Sequence, residues 1–403
     1  MSKPLDGIRV VELGTHVAVP AAARIMAEWG AEVIKVEGPA GDAWRYIGYA
    51  HGLPMKKDNN PNFQYGNSNK KDVCLNLKTP EGKEAMMKLL ETADVFMTNT
   101  RLEALKKLGV DYDSIKKRFP RLIYAHLSGY GLEGPDCNSP GFDGAAFWAR
   151  SGVLLEWTLE GDRPFKPCAG FGDNATGALF LAAVLAALHK RDQTGEGTEI
   201  EDSLYGTALW YNSLGVLKGE PCYGQKFPKT DMSFHTLTPL RQTKDGDWFL
   251  IQDTKYDKNV DKYLEFFHLE DMKGVEGMMT VKDSCKHPEV ALKAYNEAFA
   301  RTSTKDLEEF LTANDVPFCK LMNPNDVTKD EQAWANGYLA TRTMENGSEV
   351  VMSTIPVKFS DCETTEFKLA PQLGENNAEV LSELGYTAEQ ISKMEESGAI
   401  AKK

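Results

Sequence analysis

The 403-residue chain lacks most features that mark secreted, metal-binding and membrane proteins. Its seven cysteines are odd in number, scattered at 74, 137, 168, 222, 285, 319 and 362, and form no CxxC motif. A disulfide framework and a structural zinc site are disfavoured on that ground, and a reducing cytoplasm is the expected setting. The seven histidines form no HExxH, so no metal is expected. The longest unbroken apolar run, Ala178–Leu188, is too short for a bilayer. Met1–Arg9 does not have the basic-then-apolar pattern of a secretory signal, and none is expected. Positive charge is scarce as well. Lys plus Arg number 46 against 59 Asp plus Glu, a net charge of −13, which argues against nucleic acid or an anionic membrane as the main partner. No internal repeat or low-complexity tract is present.

What is present is an alternation of strand and helix patterns over the first two hundred residues. Ile8–Leu13 and Ala31–Glu37 read as strands on either side of a helix at Ala21–Trp29, a βαβ unit with parallel strands. The pattern continues with strands at Val73–Leu77, Asp94–Thr98 and Leu122–Leu127. Between them fall helices at Pro80–Thr92, Arg101–Leu108 and Asp113–Arg118. Asn174–His189 is apolar nearly all round, which predicts a helix buried on most sides in a core or a subunit interface. Arg191–Gly197 reads as a polar turn, followed by a strand at Thr198–Glu201 and a helix at Ser203–Leu214.

The Gly- and Pro-containing stretch at Gly219–Lys229 then reads as a connection. Hairpin signals occur at Lys244–Asp247 and Glu345–Ser348, helical patterns at Lys258–Phe267, Glu289–Ala300 and Lys305–Thr312, and two short helices close the chain. The expected organisation is α/β: a large Rossmann-like domain over 1–215, a linker at 216–230, a smaller α+β domain over 231–330, and a return segment over 331–403 that completes the large domain.

Two segments invite a chemical reading. The first strand-to-helix turn, Leu13–Pro20, has no GxGxxG, which disfavours a nicotinamide dinucleotide; His16 there reads as a turn residue with a satisfied ring. Gly170-Phe-Gly-Asp173 precedes the apolar helix. Glycines at 170 and 172 permit positive φ and close backbone approach, and Asp173 falls at a helix N-terminus that favours negative charge. A carboxylate there suits a nucleophile. It equally suits a helix N-cap, the commoner role of Asp at that position. Arg101, Lys106 and Lys107 follow a strand end, where open α/β sheets bind ligands. They fit either an anionic phosphate or a solvated helix face.

Several blocks resemble family III CoA-transferases: Pro4–Leu13, Glu28–Glu37, Gly41-Asp42 with Arg45, Asn67–Lys70, Leu75–Lys78 with Pro80–Gly82, Gly172-Asp173, Thr194-Gly195, and Gly374-Glu375 with Glu379–Leu381. They span nearly the whole chain. Pro140–Asp143, Phe147–Arg150 and Asp330–Asn336 are most similar to the clostridial branch that activates (R)-2-hydroxy acids such as phenyllactate and 2-hydroxyisocaproate. The resemblance implies an interlocked homodimer and coenzyme A, bound as an acyl-CoA substrate. Asp173 would be the covalent nucleophile, passing through anhydride and aspartyl-CoA thioester intermediates. It implies CoA contacts at Val17, Leu75, Asn99, Thr100 and Arg101, phosphate contacts at Lys107 and Arg45, and Tyr130 lining the site. Phe142, Phe147 and Trp148 offer apolar area for an acyl chain. Position 38 is Gly where the formyl-CoA:oxalate branch often has Arg, and the glycine run of that branch is missing between Lys218 and Trp248, so oxalate is not expected. A carnitine-type transferase is the nearer alternative. A racemase of the same fold needs His where Gly141-Phe142-Asp143 has Phe, which cannot relay a proton.

Overall fold

The computed structural model describes residues 2–230 and 236–401, so the first residues of the expected small domain, 231–235, lie outside the described residues. The chain divides into two compact units. The first comprises Met1–Val153, Lys166–Leu217 and Gln332–Lys403. The second comprises Leu154–Phe165 and Lys218–Glu331, and thus includes a stretch at 154–165 that the sequence division puts in the large domain.

The first unit begins β1 (Arg9–Leu13), α1 (Ala18–Glu28), β2 (Glu32–Glu37), α2 (Pro61–Asn67), β3 (Lys71–Cys74), α3 (Pro80–Glu91), β4 (Val95–Thr98), α4 (Leu102–Leu108), a one-turn α5 (Tyr112–Ile115) and β5 (Ile123–Ser128). A π-helical turn at Asp143–Ala149 and a one-turn α6 (Val153–Glu156) precede α7 (Phe171–Thr194), β6 (Glu199–Ser203), α8 (Leu204–Tyr211) and α9 (Ser213–Lys218). The six strands form one parallel sheet in the order β3-β2-β1-β4-β5-β6. This is the α/β architecture expected from the sequence. The strands are β-branched and buried on both faces, as a sheet covered by helices requires. The order reverses between β1 and β4, and the crevice at that reversal is where such sheets bind ligands.

Two helix expectations change. α7 starts three residues earlier than its apolar run and ends five later. The expected polar turn at Arg191 is still helix, because Arg191 is buried and its guanidinium reaches Asp94 Oδ1 at 2.8 Å. Nor is α7 covered on most sides. Phe180, Leu181 and Val184 are buried, while Phe171 and Leu179 are exposed. The buried face of α7 lies against α1, where a Cβ on Gly177 would stand 2.7 Å from Ala18 O; only glycine permits that approach.

The second unit holds β7 (Arg241–Gln242) and β8 (Trp248–Ile251), joined at the expected hairpin. α10 (Tyr256–Phe266), α11 (Val281–Ser284), α12 (Pro288–Arg301) and α13 (Thr304–Ala313) follow, then β9 (Phe318–Lys320) antiparallel to β8, and α14 (Pro324–Val327). Its own core gathers Phe249, Tyr256, Tyr263, Phe267, Tyr295 and Phe299. α15 (Glu331–Ala335) leads back, and the β10 (Leu339–Thr343)–β11 (Glu349–Ser353) hairpin forms at Asn346-Gly347, as expected. α16 (Asn377–Glu383) and α17 (Ala388–Ser397) then pack Val380, Leu381, Ile391 and Met394 onto the α3 side of the sheet. The side chains of Asn376 and Asn377 accept the β3 amides of Asp72 and Cys74, covering what would otherwise be an open sheet edge.

Candidate active site

The loops after β1 and β4 converge because their side chains bind one another. Thr98 Oγ1 donates to Leu13 O at 2.8 Å. Asn99 accepts the Thr15 amide at 3.0 Å and donates to the Thr15 carbonyl at 2.8 Å, so its side chain pins the β1–α1 loop. The same loop is held from the other side by buried charge. Lys35 Nζ donates to Gly14 O at 2.8 Å and to Glu12 Oε1 at 3.0 Å, and lies 3.1 Å from Asp42 Oδ2. Asp42 Oδ1 accepts the amides of His16 and Trp44. Lys70 meets the other Glu12 oxygen at 2.6 Å, and burial draws its ammonium down to about 8 although Glu12 opposes this. Between these anchors His16 takes a left-handed φ of 62°, a strained backbone for a non-glycine residue and one found mostly at functional loops.

A cavity of about 460 Å³ opens at this point, within the size range of small-molecule sites. All its lining residues belong to the first unit. Four of the residues that the resemblance names, Val17, Asn99, Arg101 and Asp173, line it. Arg101 is exposed at the N-cap of α4 and, with Lys166, supplies the lysine and arginine charge of the lining. His16 and Phe142 also line it, their rings 5.3 Å apart edge to face. His126 Nε2 lies 2.9 Å from Thr100 O, which makes Nε2 the protonated nitrogen, and burial holds its pKa below the usual histidine range.

Other expected contacts fall elsewhere. Arg45 is buried, doubly bonded to Glu37 and stacked 3.8 Å over Phe63; burial pushes Glu37 up, but Arg45 and Lys35 overcome this and hold it at about 2. A guanidinium so committed does not line the cavity. Leu75 is in the core, bridged to Ile400. Thr100 turns its hydroxyl to Leu13 O. Tyr130 lies under the Arg150 guanidinium beside Tyr205, and Lys107 is exposed on the last turn of α4; neither lines the cavity. Phe147 and Trp148 are buried, so Phe142 is the one of the three aromatics that borders the cavity.

Asp173 is not an N-cap. Gly170 is, with φ 83°, and Asp173 is the third helical residue without a capping hydrogen bond. Gly172 adopts a helical backbone; what requires glycine there is space, since a Cβ would lie 2.4 Å from the Phe147 ring and 2.5 Å from Asp143 Oδ1. Asp143, the first residue of the π-helical turn, is therefore pressed onto the turn that carries Asp173. π-Turns of this kind concentrate at functional sites. Burial, and after it the charge of Asp143, raise Asp173 to about 7. Burial also raises Asp143, opposed by the amides of Gly170, Gly172 and Asp173 and by the Trp148 indole. The sequence reading missed His16, Asp143 and Lys166 as site residues. His16 had a signal, its place at the carboxyl end of the first strand.

A parallel sheet with a cavity at its reversal, lined by a carboxylate of raised basicity and by Arg101 and Lys166, is the setting of an enzyme site. The chain belongs to CoA-transferase family III, whose family model matches residues 5–377. It is similar, at 37% identity over 98% of this chain and 99% of the relative, to the (R)-2-hydroxy-4-methylpentanoate CoA-transferase of Clostridioides difficile. It is 34% identical, over 97% and 95%, to the cinnamoyl-CoA:phenyllactate CoA-transferase of Clostridium sporogenes. Among solved structures it resembles a CaiB/BaiF family protein from Brucella suis, with a TM-score of 0.80 and 27% identity over 95% of this chain and 100% of that one. The protein is thus a CoA-transferase.

Proposed function

We propose that the protein moves CoA from an acyl-CoA to an (R)-2-hydroxy acid, with Asp173 as nucleophile. The observation that carries this reading is Asp173 itself, a carboxylate made basic by burial, lining a cavity with Val17, Asn99 and Arg101. Its carboxylate attacks the donor thioester carbon and expels CoA thiolate, leaving an acyl–aspartyl anhydride. The thiolate attacks the aspartyl carbonyl and releases the donor acid, which leaves Asp173 as a CoA thioester. The acceptor carboxylate attacks that thioester, and the thiolate then attacks the acceptor acyl carbonyl, freeing Asp173. No proton is consumed, and shielding from water preserves the thioester energy. Arg101 and Lys166 suit the CoA phosphates and the acceptor carboxylate. Phe142 and His16 supply apolar area, and the substrates named for the two clostridial relatives support a medium-sized hydroxy acid.

The active form is a homodimer in this reading. The exposed Leu179, Trp210, Tyr211, Leu214 and Leu217 of α7–α9 make an apolar surface that a monomer rarely leaves open. The two compact units correspond to a large and a small domain, the chain passing between them at 153–154, 165–166, 217–218 and 331–332. Seven free cysteines support a cytoplasmic setting. Asp173→Ala tests the assignment. Exchange from acetyl-, propionyl- and cinnamoyl-CoA to lactate, 2-hydroxyisocaproate, phenyllactate, carnitine and oxalate should fall by at least about a thousandfold with the fold intact. In wild type, hydroxylamine should trap a hydroxamate at Asp173. Activity of Asp173→Ala within tenfold of wild type removes the nucleophile assignment, and carnitine or oxalate as the fastest acceptor removes the substrate assignment.

A further inference from the structure

Asp143 is 7% exposed and lines the cavity, where its carboxylate is met by the amides of Gly170, Gly172 and Asp173 and by the Trp148 indole. Burial still disfavours its charged form in spite of these donors. Its place is specific. It lies against Gly172, where even a methyl group would collide with it, so it fixes the first turn of α7 and, through it, the backbone of Asp173. The groups that act on the pair are the amides of Gly170, Gly172 and Asp173, the Trp148 indole and, from α2, Tyr65. Arg24 acts on Tyr65 and is committed to Glu28 and the Tyr65 carbonyl. Among the described residues, none of the strongest influences on either aspartate is a cation.

We infer that Asp143 tunes the nucleophile: it sets a second negative charge against Asp173, so that the free carboxylate is disfavoured and every acylated, uncharged state of Asp173 is favoured. This rests on the reading of Asp173 as nucleophile. Acylation removes one of the two like charges, so the repulsion stored in the resting enzyme is released when the anhydride or thioester forms. The same repulsion keeps Asp173 basic and hence more nucleophilic than a solvated aspartate. The raised basicity of Asp173 is in accord with this. Burial is the larger contributor, so removing Asp143 should lower the basicity only in part.

The test is the pH dependence of hydroxylamine trapping with cinnamoyl-CoA in wild type, Asp143→Asn, Asp143→Glu and Asp173→Asn. In Asp143→Asn the acidic midpoint should move down by about one pH unit, and the plateau rate should fall several-fold as the nucleophile becomes less basic. Asp143→Glu, which keeps the charge, should keep the midpoint near wild type. An Asp143→Asn enzyme that is folded and has an unmoved midpoint overturns the inference. Trapping at the same peptide in Asp173→Asn overturns the nucleophile reading instead. If Asp143→Asn does not fold, carbodiimide labelling of wild type, read peptide by peptide, decides. Midpoints for Asp143 and Asp173 well above an ordinary carboxylate support the inference, and labelling of both only below about pH 4 overturns it.

Discussion

Two clusters of buried carboxylates flank the cavity, and they are built in opposite ways. Under the β1–α1 loop, Glu12 and Asp42 are matched by Lys35 and Lys70 at 2.6–3.1 Å, with carbonyls of Gly14 and Pro20 taking further ammonium protons. At the start of α7, Asp143 and Asp173 act on each other as like charges, and Asp143 meets backbone amides where Glu12 and Asp42 meet ammonium groups. Paired charges hold a loop in a strained conformation, whereas the aspartates at α7 are left with raised basicity. The general lesson is that burial of charge produces rigidity when compensated and reactivity when it is not.

The comparison predicts opposite signs on removing a charge. Lys35→Met leaves Glu12 and Asp42 facing each other without the ammonium, and should cost about 3–5 kcal/mol in urea unfolding. A loss under about 1 kcal/mol would mean that the network contributes little to holding the loop. Gly172→Ala drives a methyl into Phe147 and Asp143, and should cost about 3 kcal/mol together with most of the trapping signal at Asp173. A stable, fully active variant would show that the contact between the two aspartate-bearing turns is dispensable.

Asp173→Asn should be stabilising, and only at neutral to alkaline pH. A carboxyl whose folded-state pKa is raised, here to about 7, contributes stability that is present below its unfolded pKa near 4 and lost as pH rises through 7. Asn loses nothing over that window. The variant should therefore unfold with about 2 kcal/mol more stability at pH 8, with the part exposure of Asp173 taken into account, and match wild type near pH 4. Equal stability at both pH values would remove the strain argument for this site. Arg101→Gln should have the smallest effect: a rise of about fivefold in KM for acyl-CoA with kcat little changed, shrinking as salt is raised, since Arg101 is exposed. A fall in kcat without a change in KM would place Arg101 in the chemical steps.

The periodicity of the chain was enough to define the parallel sheet, the two hairpins and the flanking helices, because β-branched runs, Asn-Gly and Asp-Gly turns and Pro80 at a helix start act over a few residues. It also singled out Asp173, by its glycines and the apolar helix behind it. The ends of α7 were beyond it, since Arg191 stays helical only through Asp94, distant in sequence. Arg45 and Leu75 carry the family's motifs, but nothing local says that one stacks on Phe63 between Glu37 and Asp72 and the other fills the core. Whether Asp173 caps a helix or lines a cavity was likewise undecidable from its neighbours, because Gly170 as N-cap and Asp143 as opposing charge are set by the packing of the π-turn against α7. Local sequence determined which segments are strand, helix and turn; which charges are paired and which are left to react was decided by contacts between residues far apart in the chain, where desolvation and Coulomb forces act through space and not along the backbone.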